Sequence, residues 1–288
     1  MRAVAAPGRW VWGLSGLVTA VALAIPGTRL IISAVAPRQQ PLDTVTRTLT
    51  AAQPVTSVTV QSYGAAVRVT TRPARRVQVT ETISYDKQAG APPAVTPSVS
   101  AGHLTLADPA CADSDCSVSF ALTVPPGLTV TVASEGGPVT VSGVAGAYLD
   151  SGGGPVNATR IGGRLTVSTG GGPLQLDGLA GALRADTSGG DLVAQDVAAT
   201  TATVTTGGGG ALVAFAAAPD TVTVSTEGGP ADLAVPGGPY ALTADSGGGS
   251  ELVSIATDPA ASRSITISSG GGPLLVRPSA SQLRTHKR

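Results

Sequence analysis

Few residues of this chain are of types that commonly perform chemistry, and they lie far apart in the sequence. The two cysteines, Cys111 and Cys116, occur in the stretch CADSDC. In an exported domain, so close a pair typically forms a disulfide. A zinc site is disfavoured because four nitrogen or sulfur ligands are not available nearby. We therefore predict a disulfide, with free thiols as the alternative, and neither a metal nor a cofactor.

The histidines and carboxylates form no recognisable catalytic set. His103 and His286 have no histidine, cysteine or carboxylate partner at ligand spacing, and His286 lies in the basic stretch RTHKR. Asp150, Asp186 and Asp245 occupy equivalent outward positions in the repeat described below. The nearest two lie two repeats apart, about 10 Å, which is wide for the paired carboxylates of a glycoside hydrolase. These patterns predict a protein that is not an enzyme and has no catalytic residues.

Glycine-rich stretches are a further candidate, since such loops can hold phosphate. The stretch TVSTGGGPLQL at 166–176 recurs as TVSTEGGPADL at 223–233 and as TISSGGGPLLV at 266–276. No lysine follows these glycines, and the residues after them alternate like a strand instead of starting a helix. The pattern argues against a phosphate loop and favours a repeated structural corner.

Eight copies of this corner follow one another at intervals of 17 to 23 residues. Each copy has a serine or threonine two residues before a glycine pair, and apolar residues at alternate positions on both sides. Alternation with a period of two predicts strands with one inward face. The predicted corner glycines are Gly136, Gly137, Gly153, Gly154, Gly171, Gly172, Gly189, Gly190, Gly208, Gly209, Gly228, Gly229, Gly248, Gly249, Gly271 and Gly272.

Each copy thus predicts a strand, a glycine corner, a second strand and a short turn. Such a unit cannot bury its inward face alone, so the units are expected to stack. We predict an all-β fold, a β-solenoid (β-helix) of about eight to nine two-strand coils over 57–277. The ninth coil is the degenerate copy SVTVQSYGAAVRVTT at 57–71, and the aperiodic residues 72–127 are expected to form hairpins that cap the stack. Gly209 is expected to need a positive φ, and the coil of Gly272 is expected to be terminal.

The N-terminal residues predict export or membrane anchoring. After a tail at 1–9, residues 10–36 are apolar except for Arg29 and are long enough to cross a bilayer. The small-residue patterns ALA and AVA support the alternative, a cleaved signal peptide. We predict a short cytoplasmic tail, a single-pass transmembrane helix at 10–36 in the cell membrane, and an extracytoplasmic remainder, secreted if the helix is cleaved. Residues 37–56 predict a linker and a first strand, and 278–288 a basic disordered tail.

Composition narrows the expected partners. The 288 residues carry no net charge, and only 3% of them are aromatic. Zero net charge argues against nucleic acid as a partner. Few aromatic residues argue against a carbohydrate-binding face built from stacked rings. The membrane and an unidentified protein or cell-surface ligand are the expected partners.

The order of these features resembles a known family. An apolar segment precedes VTSVTVQSYGAAVRVTT, then a cysteine-flanked segment ending in LTVPPGLTVTVASEGGPVTVSG, then repeated corners of the type SGGGPV. Over about 57–277 the chain is similar to the bacterial putative-adhesin domain of unknown function, especially its actinobacterial forms. The resemblance implies a β-solenoid at the cell envelope and implies no catalytic residues. The family's common aspartate after the glycines is kept only at Asp191, and proline replaces it in five copies.

Three functions are compatible with these observations. The leading hypothesis is a non-enzymatic cell-envelope protein that presents an extracytoplasmic β-solenoid for adhesion or surface contacts. The alternatives are a sensory or regulatory ectodomain that binds an envelope component, and a carbohydrate-active β-helix enzyme. A regular outward array of threonines, which includes Thr203, also permits contact with ordered water or a crystal face.

Overall fold

The computed structural model describes residues 42–92, 95–108 and 116–279. Valine and threonine alternate through most of this region, which favours strands over helices. Besides a short 3₁₀ turn at Lys87–Ala89, its regular elements are all strands. They are β1 Asp43–Thr50, β2 Ser57–Ser62, β3 Ala66–Thr71, β4 Gln78–Tyr85, β5 Ser98–Ser100, β6 His103–Ala107, β7 Ser117–Val124, β8 Thr129–Ser134, β9 Val139–Ser142, β10 Gly146–Ser151, β11 Val156–Ile161, β12 Leu165–Thr169, β13 Leu174–Leu179, β14 Leu183–Thr187, β15 Leu192–Val197, β16 Thr201–Thr206, β17 Ala211–Phe215, β18 Thr221–Thr226, β19 Ala231–Val235, β20 Ala241–Asp245, β21 Glu251–Val253, β22 Ser264–Ser268 and β23 Leu274–Pro278.

The strands form two sheets, here called sheet A and sheet B. Sheet A has twelve strands in the order β1-β4-β7-β3-β9-β11-β13-β15-β17-β19-β23-β21. Sheet B has eleven in the order β20-β22-β18-β16-β14-β12-β10-β8-β2-β6-β5. Only β1, β4 and β5 pair in the antiparallel sense, and the other ten strands of each sheet are parallel. Each coil contributes one strand to each sheet, so the described chain is a β-solenoid of ten coils.

The register of the predicted ninth coil is confirmed. In sheet B, Val58 and Val60 of β2 lie opposite Val130 and Val132 of β8. In sheet A, β3 pairs with β9 in the same parallel sense. Both valines of β2 are at most 1% exposed. The degenerate copy therefore continues the same inward apolar columns as the regular ones.

The tenth coil corrects an expectation about the aperiodic region. The segments around Leu104 and Phe120 were expected to form a hairpin, but β6 lies in sheet B and β7 in sheet A. Leu104 pairs with Val58 of β2, and Phe120 pairs with Val67 of β3. Their alternating apolar residues match the inward columns of the neighbouring coil, so β6 and β7 extend the stack by one coil.

The order of the last two coils corrects a second expectation. Strand β22 lies between β18 and β20, and β23 lies between β19 and β21. The coil that contains Gly272 is therefore internal, and the coil of β20 and β21 is terminal. Glu251 explains this order, because it stands opposite Leu274 in an inward column. A carboxylate at that position suits a coil with one side open to solvent and would be costly between two coils.

The two ends of the stack differ, and we call them the capped pole and the open pole. At the capped pole, β4 covers β7, β1 covers β4, and β5 covers β6. At the open pole, β20 and β21 are the outermost strands. Beyond them a single bridge joins Tyr240 to Thr257. The strand pairing of the described residues thus closes one pole and leaves the other largely uncovered.

The predicted membrane segment at 10–36 lies outside the described residues. Within the described ranges, no helix is long and apolar enough to cross a bilayer. The anchor and its orientation stay predictions from the sequence.

Candidate interaction surface

The corners are held by a buried hydroxyl two residues before each glycine pair. At the corner of β8, the Ser134 hydroxyl donates to the carbonyl of Gly137 at 3.3 Å, and the Gly137 N–H donates to Ser134 Oγ at 3.1 Å. The Ser151 hydroxyl makes the same bond to the Gly154 carbonyl at 3.0 Å. These bonds satisfy backbone groups that have left the strand ladders.

The two glycines of each pair have different surroundings. A Cβ on Gly208 would meet no atom within 4 Å, whereas a Cβ on Gly209 would lie 2.2 Å from the carbonyl oxygen of Gly190 in the adjacent coil. The same contact with backbone of the adjacent coil, at 2.1 to 2.3 Å, occurs at the second glycine of all eight pairs: Gly137, Gly154, Gly172, Gly190, Gly209, Gly229, Gly249 and Gly272. The expected crowding at Gly209 is present, but the expected positive φ is not. Close approach of neighbouring coils, and not backbone conformation, requires glycine there.

We call the outward surface of sheet B the hydroxyl face. Threonines dominate one column of residues on it. The column crosses all ten parallel strands in register. From the capped to the open pole its residues are Thr105, Thr59, Thr131, Tyr148, Thr166, Arg184, Thr203, Thr223, Thr266 and Thr243. Because parallel strands lie about 4.8 Å apart, the face presents hydroxyl groups at a regular spacing.

A groove lies at the edge of the hydroxyl face nearer the capped pole, and we call it the corner groove. Tyr63 and Glu135 stand at equivalent positions in adjacent coils, and Gly152 follows them in the next coil. Any side chain on Gly152 would start 2.4 Å from the carbonyl oxygen of Glu135. Two large side chains beside an obligatory glycine thus leave a groove of about 530 Å³. Its lining residues are Gln61, Ser62, Tyr63, Ala133, Ser134, Glu135, Asp150 and Gly152.

Two exposed tyrosines lie on this side of the solenoid, one of them in the groove. Tyr63 is 62% exposed and lines it. Tyr148 is 50% exposed and precedes the groove residue Asp150 by two positions on the same face of β10. The sequence argued against stacked rings because aromatic residues are few. The structure exposes Tyr63 in the groove and Tyr148 on the neighbouring surface of sheet B, and the alignment of the repeats shows Tyr148 in a threonine column.

The predicted chemistry-bearing residues are dispersed. Among the described residues, His103 contacts two hydroxyls on the hydroxyl face: its Nδ1 lies 2.7 Å from Ser57 Oγ, and its Nε2 lies 3.1 Å from Thr59 Oγ1. His286 and Cys111 lie outside the described residues, so the disulfide between Cys111 and Cys116 stays a prediction.

The three aspartates of the outward column are separated as expected from the repeat. Ser168 lies between Asp150 and Asp186 in the register of sheet B. Its hydroxyl donates to Asp150 Oδ1 at 2.8 Å. Asp245 is at the open pole on β20, several strands away. In the part of the chain that the structure describes, no three His, Cys, Asp or Glu residues are grouped so that they could hold a metal ion.

Two glutamates that the sequence analysis missed end one inward column of sheet A. Glu81 on β4 pairs with Phe120 at the capped pole, and Glu251 on β21 pairs with Leu274 at the open pole. The residues between them are Phe120, Val67, Val139, Val156, Leu174, Leu192, Ala211, Ala231 and Leu274. The repeat alignment contained the signal for Glu251, the one polar residue at its position. Glu81 lies outside the repeat and gave no such signal.

The capped pole buries two carboxyl groups. Glu81 is 1% exposed and Asp108 is 8% exposed. Burial raises the pKa of Glu81, and the charge of Arg47 lowers it in part. Burial also raises the pKa of Asp108. Asp108 follows β6 at the position that a buried serine or threonine fills in the regular coils, as Ser62 does at the end of β2.

No protein-family model and no curated protein matches this chain. Among solved structures, it is similar to a putative adhesin from Bacteroides fragilis, with 14% identity and a TM-score of 0.45 over 82% of this chain and 97% of the other. It is also similar to a putative adhesin from Parabacteroides distasonis, with 14% identity and a TM-score of 0.46 over 81% and 97%. A putative cell adhesion protein from Clostridium sporogenes has 10% identity and a TM-score of 0.28 over 83% and 100%. Similarity at this level carries no inference about what this chain binds.

Proposed function

We propose that this chain is a non-enzymatic cell-envelope protein, of the actinobacterial putative-adhesin type that its sequence resembles. In this proposal, residues 10–36 anchor it in the membrane and the β-solenoid makes contacts with a surface ligand outside the cell. The observation that carries the proposal is the hydroxyl face with the corner groove at its edge.

The corner groove has the chemistry of a contact surface. The ring of Tyr63 offers apolar area with a polar tip, and aromatic side chains of this kind commonly dominate binding energy at interfaces. Glu135 and Asp150 add hydrogen-bond acceptors at its sides. The rigid stacking of coils holds these groups in place, so little conformational entropy is lost when a ligand binds.

The contact function is tested by binding of the full-length chain, coupled to beads in detergent, to isolated cell envelopes. We expect the double variant Tyr63→Ser, Tyr148→Ser to bind at least severalfold less envelope material than the natural chain. Leu42→Ser is the control, because Leu42 is 46% exposed and lies away from the groove at the start of the described region. Unchanged binding of the double variant, or an equal loss in the control, would count against the groove.

The predicted location is tested separately by fractionation of the producing cells. We expect the chain in the membrane fraction, with the solenoid accessible to protease added outside intact cells. Recovery from the cytoplasmic fraction would contradict the proposed anchoring.

A further inference from the structure

The open pole exposes strand edges that elsewhere in the solenoid are paired. The Ser250 carbonyl accepts from the Leu274 N–H at 2.8 Å, and the Ser254 N–H donates to the Val276 carbonyl at 2.9 Å. These bonds connect β21 to β23. In a parallel ladder successive residues turn their N–H and C=O groups to opposite neighbours, so those of Glu251 and Val253 face the open edge. An unpaired edge of this kind is a template for another strand.

The apolar core is only partly covered at the same place. Leu242, Ala244 and Val253 continue the inward columns but are only partly buried. The chain starts to cover them at Thr257, which forms one bridge to Tyr240, and then turns away at Pro259. A cavity of about 630 Å³ remains there. Among the residues that line it are Leu242, Ala244, Glu251, Val253, Thr257 and Pro259.

The capped pole shows which residue suits a strand laid beyond a glutamate in this column. There β1 lies at the edge of sheet A and places Arg47 directly opposite Glu81. At the open pole Glu251 ends the same column, and Asp245 and Asp258 are also exposed nearby. Among the described residues of this end, Arg263 lies on the loop that leads into β22, and Arg277 of β23 is paired with Asp232 of β19. The charge of the open pole is therefore complementary to a basic strand.

We infer that the open pole binds an extended segment of a partner protein, which adds as a strand along β21 and places a lysine or arginine opposite Glu251. The residue two positions from the basic one lies on the same face and is apolar where it faces Val253 and the core around Leu242, because strand side chains alternate between the two faces. Main-chain hydrogen bonds supply affinity and the side chains supply selectivity, as in other cases of strand addition. This inference rests on the proposed role in surface contacts and names a second contact site for it.

The inference is tested with the full-length chain in detergent and short fluorescent peptides, by anisotropy. One probe has a lysine, valines two positions before and after it on the same face, and threonines at the intervening outward positions, and a second has glutamate in place of the lysine. We expect the lysine probe to bind more tightly than the glutamate probe. Glu251→Gln should weaken its binding about two- to fivefold, the range for one exposed ion pair. Glu251→Lys should reverse the preference between the two probes.

Glu227→Lys is the matched control, since Glu227 is exposed at the corner between β18 and β19, two coils away from the edge strand β21. It should leave both affinities unchanged, and circular dichroism should be the same for all variants. Equal binding of the two probes, or an equal effect of Glu227→Lys, overturns the inference. So does tighter binding after deletion of 280–288, which would assign the edge to the chain's own basic tail. Self-association that Glu251→Lys abolishes would assign the edge to a second copy and also overturns it. If the probes fail while envelope binding through Tyr63 persists, the inference fails and the proposed function stands.

Discussion

The two poles end the same inward column with a glutamate, and the surroundings of the two glutamates differ. Glu81 is 1% exposed under β1, with Arg47 opposite it. Glu251 is exposed, and among the described strands none lies beyond β21. The outermost coil at the capped pole has Phe120 at this column, and Glu81 belongs to the strand β4 that is added beyond it. The comparison shows that the added strands β4 and β1 cover the capped end of this solenoid, whereas the outermost coil at the open pole is itself acidic at this column.

The direction of the added strands explains why the capped pole is closed. A further coil of the solenoid would have to pair in the parallel sense with the outermost strands. Strands β4 and β5 instead run antiparallel to β7 and β6 and interrupt the helical path of the chain. At the open pole the outermost pairs are still parallel, so the path can be continued by another strand.

The largest expected contrast between the poles concerns leucines of one inward column. Leu104 is 1% exposed in the coil at the capped pole, and Leu242 is only partly buried at the open pole. We expect Leu104→Ala to lower the free energy of unfolding by about 2–5 kcal/mol. Leu242→Ala should lower it by about 1 kcal/mol or less, because less contact is lost. Chemical unfolding of both variants measures the difference, and equal losses would show that the open pole is covered.

The second glycines of the corners should not distinguish the poles. The Cβ contact of Gly209 in mid-stack and that of Gly249 at the open pole are both 2.2 Å from backbone of a neighbouring coil. We expect Gly209→Ala, Gly249→Ala and Gly272→Ala each to cost about 1–3 kcal/mol of stability. Gly208→Ala, the adjacent control, should stay within about 0.5 kcal/mol. If Gly208→Ala and Gly209→Ala are equally mild in chemical unfolding, the coils are not in close contact at the corners.

The predicted disulfide would add to the difference between the poles. A bridge between Cys111 and Cys116 would close a short loop in the segment that connects β6 to β7. Chain-entropy arguments give it a stabilisation of about 2 kcal/mol, which should be lost in Cys111→Ser. Mass spectrometry of the non-reduced protein should show the bridged peptide two hydrogens lighter than its reduced form. Complete alkylation of both cysteines without prior reduction would refute the bridge.

The buried carboxyl should make the capped pole sensitive to pH. Because burial raises the pKa of Glu81 in the folded state, the unfolded state ionises first as the pH rises. Stability is then lost from the ordinary pKa of glutamate up to the raised value, and the deficit persists at neutral pH. Glu81→Gln should therefore be more stable than the natural chain at neutral pH and similar to it in acid. The check is the free energy of unfolding as a function of pH, and a loss of stability in Glu81→Gln at neutral pH would contradict the prediction.

The smallest effect is expected on the hydroxyl face between the poles. Thr203 is flanked by Arg184 and Thr223 in its column, and it is half-buried on the outward surface of sheet B. We expect Thr203→Ala to change the free energy of unfolding by no more than about 0.5 kcal/mol. A larger loss would mean that the threonine column stabilises the stack and is not only a surface.

The sequence predicts the inward columns well because every strand pair repeats the same apolar alternation. The alignment of Val58 with Val130 follows directly from it. The order of coils does not follow from periodicity, since any coil with the same columns fits between any two others. Only a residue that breaks a column, such as Glu251, distinguishes a terminal coil from an internal one. Whether the carboxylate of Glu251 reaches solvent depends on whether another coil lies beyond it, and the order of the whole stack determines that.

The surface features were harder to predict for a different reason. Tyr63 and Asp150 come together at the corner groove because β2 and β10 both flank β8 in sheet B. Their separation in the sequence gives no sign of this, although the repeat places each of them on the outward surface. Glu81 could not be assigned to the column either, because β4 is antiparallel and its register with β7 is set by contacts outside the repeat.

The position of the last coil also determines how the solenoid responds to mechanical load. Strand β23 is held between β19 and β21, and β22 between β18 and β20. A force applied at the C-terminal end therefore cannot peel an outermost strand away, as it would in a stack whose coils follow chain order. It must draw an internal coil out against the ladders on both of its sides, and the coil of β20 and β21 stays in place until that happens.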